Sequence, residues 1–493
     1  MNTTILEQLP LLPNDDLHGA DPVKHGLSPN LHTLWLHPEQ LPPSLAHSPC
    51  LTHLIDLLGP LDWGHFPERD LKHRYGRAAI PSAALVIMEL VRLNESKPSQ
   101  RKLREWLLEY PAFISLLGLN SPATAHNHLS FNTAPVLPSI RHLCRMLRDL
   151  DNAALQFLLA DSVRLIGQEL DKHQIKWGDC ISLDTKHILA WVKENNPKDY
   201  VSDRFDKSKQ PAGDPDCRLG CKRRRNVPSE APPTPTKKPV NAKGVSVGEF
   251  YWGYGSGVVA TKVPLYGEFV LAELTQPFDH GDLSYFFPLM KTTEQRLGRR
   301  PLFGTFDAAF DAWYVYQHFY RDDSLENGFA AVPFVNKGGK GVTARQFSPE
   351  GLPICAAGLP MPLQVAFTDR TSCQIEHERG KYACPLMFPA KIANTCPVNH
   401  KQWAKGGCTA MMPTAIGSRI RYTLNRDSQL YKDIYKQRTA VERINSQAVA
   451  LGIERPHLRN GHAIANQNTL IYLLINLRFL QRLRQNLPCL DLA

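Results

Sequence analysis

The spacing of apolar residues changes near residue 175, and this change constrains the fold more than any other feature. Upstream, apolar residues recur every three or four positions in "SAALVIMELVRL", in "SQRKLREWLLEYPAFISLLGL" and through 136–173, which predicts helices. Ser99 is placed to cap the second helix, and Pro111 to break it. Downstream, "EFYWGYGSGVVATKV" and "YGEFVLAELTQ" are rich in aromatic and β-branched residues and predict strands. Strand and helix patterns then alternate, which predicts an α/β sheet flanked by helices.

These patterns divide the chain into three parts. Residues 1–78 are a loosely helical lead-in, and 79–173 form an all-helical region that suits either a DNA-binding domain or a packing domain. Residues 174–493 carry the α/β pattern. Two segments interrupt it: a flexible basic loop at 204–244, and a Gly-, Pro- and Cys-rich insertion at 336–425 that we expect to be a strand-rich subdomain.

The positive charge of the chain is regional. The net charge is +10, yet 204–244 holds 11 Lys and Arg against 4 Asp and Glu, and 418–487 holds 12 against 4. Concentrated basic charge is typical of proteins that bind nucleic acids. The loop contains a run of four cations, Lys222, Arg223, Arg224 and Arg225. This run is either a solvated charge cluster or a site that binds phosphates non-specifically.

The longest apolar stretch, Leu470 to Leu480, is shorter than the roughly 20 residues that span a bilayer, and Arg478 interrupts it. The first residues lack the basic start of a secretory signal. We therefore expect a soluble protein of the cytoplasm, associated with the nucleoid and with no membrane partner.

Three carboxylates are placed for chemistry. Asp184 ends a predicted central strand in "SLDTKHI", Asp307 ends a later strand in "LFGTFDAAFD", and Glu442 lies in the helix "YKQRTAVERIN". Taken singly, each has an ordinary explanation, as a turn cap, a helix cap or a solvated acid. If they converge, their oxygen ligands suit two Mg²⁺ or Mn²⁺ ions, which activate a phosphodiester for displacement.

The surroundings of Glu442 favour a phosphate site. Tyr435, Arg438 and Glu442 are spaced by three and four residues, which places them on one stripe of a helix. A phenol and a guanidinium beside a metal-binding carboxylate are suited to hold a phosphate near the metal.

The ordered set "SLDTK", "GTFDAAFD" and "YKQRTAVERIN" resembles the D…D…E catalytic triad of bacterial insertion-sequence transposases, in the branch with a Y-x-x-R-x-x-x-E helix. The resemblance covers about 175–485 and, more loosely, 79–150. It implies an RNase H-like catalytic domain with Asp184, Asp307 and Glu442 as ligands of two Mg²⁺ or Mn²⁺ ions. Tyr435 and Arg438 would contact double-stranded DNA.

The resemblance also implies the reaction: the protein would bind the terminal inverted repeats of its element as a homodimer, cut the DNA and join it to a target. Arg443, next to the last acid, is a further expected DNA contact. The family usually has a Lys seven residues after the last acid, where this chain has Val449, so either this contact is absent or a nearby Arg455 or Lys432 replaces it. Two alternatives stay open: a domesticated, non-catalytic DNA-binding protein, and an RNase H-like nuclease that does not transpose.

Other acids and the cysteines have weaker patterns. Asp179 lies near the start of the predicted strand, Asp311 is expected to begin a helix, and Asp282 is expected to cap one. Four cysteines in the insertion are either reduced thiols or ligands of a structural Zn²⁺, and lack a clean C-x₂-C pattern: Cys373, Cys384, Cys396 and Cys408, with His400 nearby.

Overall fold

The computed structural model describes most of the chain. The described residues are 31–41, 43–69, 80–119, 137–221, 250–322, 325–335, 344–370 and 375–487. The basic run at 222–225 and Cys373 lie outside them, so the predictions made for these residues stay predictions.

Only helices occur in the described chain before residue 173, whereas both strands and helices follow, with the last four helices after the last strand. The helices are α1 (Leu31–Leu36), α2 (Pro43–Ala46), α3 (Pro49–Leu58), α4 (Ser82–Asn94), α5 (Gln100–Glu109), α6 (Pro111–Leu116), α7 (Ile140–Asp149), α8 (Asn152–Lys172), α9 (Phe286–Leu297), α10 (Trp313–Phe319), α11 (Ile416–Thr423), α12 (Gln429–Tyr435), α13 (Thr439–Ala450) and α14 (Gly461–Asn486). The predicted boundaries of α5 are confirmed, because the Ser99 hydroxyl accepts the Lys102 backbone N–H and the helix ends before Pro111.

The strands form two sheets. They are β1 (Cys180–Leu189), β2 (Arg218–Cys221), β3 (Phe250–Val263), β4 (Gly267–Pro277), β5 (Phe303–Thr305), β6 (Phe329–Ala331), β7 (Leu363–Asp369), β8 (His377–Ala383) and β9 (Thr409–Pro413). In the larger sheet the order is β2-β3-β1-β5-β6, and β4 pairs with β3. β3 pairs antiparallel with β1, β2 and β4, whereas β1, β5 and β6 run parallel. The prediction of an α/β protein with a mixed sheet is confirmed.

The smaller sheet, β7-β8-β9, is antiparallel and lies within the predicted insertion. It has its own small apolar cluster around Met361, Tyr382 and Met412. Two larger apolar cores hold the rest: one joins the N-terminal helices, α14 and β3, and the other lies under α9, α10, β5 and β6. None of the described helices has the length and apolar character that crossing a membrane requires.

Glycines bring the segment before α9 directly onto β3. A β-carbon at Gly257 would lie 2.4 Å from Tyr285 Cδ1, and one at Gly255 would lie 2.5 Å from Tyr285 Oη. Tyr285 is buried and ends a 3-10 turn that begins at Asp282. Because Gly255 and Gly257 have no side chains, Tyr285 packs directly on β3. The turn that begins at Asp282 therefore lies over the middle of the sheet.

Glu273 on β4 is a buried acid with an incomplete set of hydrogen bonds. Its Oε1 accepts from the Thr469 hydroxyl and from the Gln156 amide, whereas Oε2 has no partner among the described residues. Burial raises the pKa of this carboxyl to about 7. Between its ordinary value of 4.5 and pH 7 the folded chain therefore binds more protons than the unfolded chain, and the free energy of unfolding falls as the pH rises.

We expect Glu273→Gln to remove this loss. Between pH 5 and pH 8 the free energy of unfolding should fall by about 1–2 kcal/mol less in the variant than in the wild type. Urea unfolding of both proteins at the two pH values measures the effect. Glu376→Gln, at an exposed acid, is the matched control. Equal pH dependence in Glu273→Gln and the wild type would contradict the assignment.

Candidate active site

Asp184 and Asp307 come from neighbouring parallel strands. Ser182 of β1 lies opposite Thr305 of β5, and the Thr305 hydroxyl donates to the Ser182 hydroxyl at 2.7 Å. Each acid follows two residues later, and Asp307 keeps an extended backbone (φ −80°, ψ 177°). Because side chains two residues apart share a face of a strand, both carboxylates lie on the face of Ser182 and Thr305.

Asp184 does not end its strand, contrary to the prediction. β1 continues to Leu189 because β3 stays paired with it as far as Gly253. What ends near Asp184 is the pairing with the short strand β5, whose last paired residue is Thr305. The crevice beside Asp184 therefore opens where β5 ends and not where β1 ends.

Burial dominates the electrostatics of both acids. The Asp184 side chain is 20% exposed, and Asn445 Nδ2 donates to its Oδ2 at 3.2 Å. Burial raises the pKa of Asp184 to about 6; Arg438 opposes the rise, and the charges of Asp307 and Asp282 add to it. The pKa of Asp307 is also raised by burial, although its carboxylate accepts the Ala309 backbone N–H at 2.8 Å.

Arg438 is the cation that the acids share. Its Nη1 donates to Glu442 Oε1 at 2.7 Å, and its Nη2 lies 3.9 Å from Asp184 Oδ1. Its Nε is buried and has no hydrogen-bond partner among the described residues. The structure thus brings the last predicted acid and the first predicted acid to the same guanidinium.

The helix predicted to carry Tyr435, Arg438 and Glu442 is not continuous. A 3-10 turn, Lys436–Arg438, separates α12 from α13, and the Gln437 carbonyl accepts the Ser182 hydroxyl at 3.0 Å. The backbone stays right-handed helical through this turn, and the hydrogen bond ties the turn to β1. Tyr435 ends α12, and its pKa is raised by burial and by the charges of Asp307, Glu442 and Asp184, so its phenol lies in the field of the acids.

Asp282 is the site residue that sequence reasoning missed. Its carboxylate accepts the Thr185 hydroxyl at 2.6 Å and does not cap a helix, because Gly281 occupies the cap position. Its charge raises the pKa values of Asp184 and Asp307. The alternating glycines of β3 were a signal for this close approach, but they indicated neither which residue would approach nor from where.

The two other acids lie outside the group. Asp179 pairs with Arg299 on the surface. Asp311 is buried and does not begin a helix as predicted; its carboxylate binds Arg421 and accepts the Tyr316 hydroxyl. Both therefore have structural partners of their own.

The donor chemistry of the site suits Mg²⁺ or Mn²⁺, because hard cations prefer carboxylates. Burial, with a smaller contribution from the neighbouring acids, raises the pKa values of Asp184 and Asp307, and a bound cation would stabilise their charged forms. Within the described ranges, no three His, Cys, Asp or Glu side chains stand together as a metal-binding group. Glu442 is turned towards Arg438. Asp184 and Asp307 fit as ligands, and Glu442 fits as a third once it leaves Arg438.

An open cleft of about 680 Å³ adjoins the acids and is lined by Asp184, Glu442 and Asn445. Arg455 also lines it, as expected of a substitute for the basic residue missing at Val449. Arg443, in contrast, points to Glu268 at a distance of 3.4 Å.

The described cysteines of the insertion form no disulfide with one another. Cys384 and Cys396 are buried, and the Cys408 thiol lies beside Cys384 and Cys355. Burial raises the pKa of Cys408 to about 12, and both neighbouring thiols add to the rise. Cys355 was not among the cysteines selected from the sequence. No three Cys or His side chains of the described insertion form a metal-binding group.

No protein-family model matches this chain, and no curated protein is significantly similar to it.

Proposed function

We propose that this chain is the transposase of a bacterial insertion sequence, which binds the terminal inverted repeats and catalyses metal-dependent strand cleavage and strand transfer. One observation carries the proposal: Asp184 and Asp307 project from adjacent parallel strands, and Arg438 joins Asp184 to Glu442. Three acids from two strands and a helix match the D…D…E order of the resemblance.

The sheet supports an RNase H-like arrangement for the catalytic domain. β1 has an antiparallel partner, β3, on one side and a parallel partner, β5, on the other, which puts Asp184 at the middle of the sheet. Asp184 therefore lies on a rigid element, which is what a reaction with strict geometric demands needs.

Asp184, Asp307 and Glu442 would hold two divalent ions, which when bound neutralise charge on the attacking and leaving oxygens. In the first step a water oxygen bonds to phosphorus, the bond to the 3′ oxygen breaks, and that oxygen takes up a proton. The products are a 3′-OH and a 5′-phosphate. In the second step the 3′-OH attacks a phosphodiester of the target strand in the same way.

Arg438 and Tyr435 would hold the substrate phosphate. The Arg438 Nε–H has no partner in the described structure, and Arg438 would release Glu442 when the metals arrive. A guanidinium can then bind a phosphate with two donors. Tyr435 would add a phenol beside the same phosphate. A second copy of the chain would hold the other end of the element.

The proposal is tested with a supercoiled plasmid that carries the sequences flanking the coding region, incubated with the purified full chain and Mg²⁺. A transposase gives 3′-OH nicks at the ends of the element and joined strands, and EDTA abolishes both. Nicks without any joined product would favour the non-transposing nuclease. No metal-dependent cut would favour the non-catalytic DNA-binding protein.

A further inference from the structure

The cleft beside the acids continues into a surface of cations and aromatic rings. Besides the acids, its lining includes Lys186 and Arg204 and the rings of Phe205 and Phe250. The Arg204 guanidinium is held by the backbone carbonyls of Asn196 and Asp199, at 3.2 and 2.6 Å. Fixed cations next to apolar rings are suited to a ligand with phosphates and flat bases.

The connection between α13 and α14 extends this surface. The Leu189 backbone N–H donates to the Glu454 carbonyl at 2.9 Å, which ties the connection to the end of β1. Beyond that point exposed and covered residues alternate: Arg455, His457 and Arg459 are exposed, whereas Pro456 is buried. The exposed members are therefore directed away from the core beside the cleft.

Trp191 lies two residues beyond the end of β1 and is half exposed. The Arg459 guanidinium lies 4.8 Å from its ring centroid, and the His457 ring is 5.4 Å away at an interplanar angle of 30°. The exposed face of the Trp191 ring is available to stack against a flat ligand. The ring also fixes the position of the guanidinium, whose hydrogen-bond donors stay free for a phosphate.

Arg455 and Arg459 have no hydrogen-bond or ion-pair partner among the described residues. Lys186 differs, since it pairs with Glu454. Two unpaired guanidiniums on one connection give the outer part of the surface a positive charge, while the acids give the inner part a negative one. A polyanion would therefore enter from the connection and reach the acids at its end.

We propose that this surface, formed by Trp191, Phe205, Arg455, His457 and Arg459, binds a single-stranded stretch of DNA that leads to the acids. Unpaired bases would lie against the aromatic rings, and their phosphates would contact the two arginines. Bases in a duplex are stacked on one another and present no free face, so the rings select an unpaired strand. The inference rests on the proposed function, because it takes the acids as the place where that strand is cut.

The test measures binding of the full chain in EDTA to a fluorescein-labelled oligothymidylate of about 12 nucleotides and to a duplex of equal length. We expect Trp191→Ala and Arg459→Gln each to weaken binding of the single strand about tenfold and to leave duplex binding unchanged. Trp191→Phe, which keeps a ring, should retain most of the affinity. Lys172→Gln on α8 is the matched control for loss of an exposed cation.

Equal losses for single strand and duplex, or no loss, would overturn the inference. Thermal unfolding of each variant shows whether it is folded, and Trp191→Phe decides the outcome if Trp191→Ala is not. Because the assay contains no metal, it is independent of cutting. A chain that binds the single strand through this surface but never cuts DNA would refute the proposed function alone. A chain that cuts and joins DNA while the variants bind normally would refute the surface alone.

Discussion

Asp184→Asn is expected to lower the rate of Mg²⁺-dependent DNA cutting about 1,000-fold, because loss of one metal-binding carboxylate removes several kcal/mol of transition-state stabilisation. DNA binding should remain, since the DNA contacts we propose lie on other residues. The measurement is single-turnover cleavage of a labelled DNA end. Asp179→Asn, at an exposed acid five residues earlier that pairs with Arg299, is the matched control and should cut at the wild-type rate.

The same substitution is expected to raise stability. The pKa of Asp184 in the folded chain, about 6, lies above its ordinary value of 3.8, so the folded chain binds more protons between these pH values. The free energy of unfolding therefore falls as the pH rises through this window, and Asp184→Asn escapes the loss. An inactive variant with an equal or higher melting temperature at pH 7.5 excludes misfolding as the cause. Wild-type cutting by Asp184→Asn would remove Asp184 from the mechanism.

Asp311→Asn is expected to destabilise the protein by about 3 kcal/mol or more, whereas Asp307→Asn should not destabilise it. The Asp311 carboxylate is 2% exposed and binds Arg421 Nε and Nη2 at 2.8 and 2.5 Å. It also accepts the Val335 backbone N–H at 2.9 Å. Weakening these bonds leaves the Arg421 charge buried without a full partner.

Asp307 is only four residues away, yet its environment disfavours the charged carboxylate, whereas Arg421 pairs with the carboxylate of Asp311. Burial raises the pKa of the Asp307 carboxyl, so the charged form is disfavoured in the folded chain. Urea unfolding midpoints at pH 7.5 compare the two variants, and the cleavage assay should show that Asp307→Asn is the folded but inactive one. Similar midpoints for both variants would contradict this division between a structural and a catalytic acid.

Local patterns were sufficient to predict the elements that carry the site. The apolar period distinguished the helices from the strands, although the expectation that Asp184 ends its strand was wrong. The hydrogen-bond partners around the acids were not predictable, because bonds such as that from the Ser182 hydroxyl to the Gln437 carbonyl join residues far apart in the chain. That bond ties the 3-10 turn at Lys436–Arg438 to β1.

The concentration of Lys and Arg after residue 418 was a poor guide to the DNA-binding surface. Part of the basic surplus after residue 418 is internal: Arg421 binds Asp311, Arg426 donates to the Val332 carbonyl, and Arg478 donates to Asn94. A sequence count does not distinguish a cation that completes a core from one that faces DNA. Two exposed cations of this region, Arg455 and Arg459, lie on a connection with no motif of its own.

The central claim is that Asp184, Asp307 and Glu442 act together as one site for a divalent cation. Its most direct test is a Mn²⁺ titration of the full chain followed by electron paramagnetic resonance, in the wild type, Asp184→Asn and Asp179→Asn. We predict that the wild type and Asp179→Asn bind Mn²⁺ equally and that Asp184→Asn loses this binding. Undiminished Mn²⁺ binding by Asp184→Asn would contradict the claim.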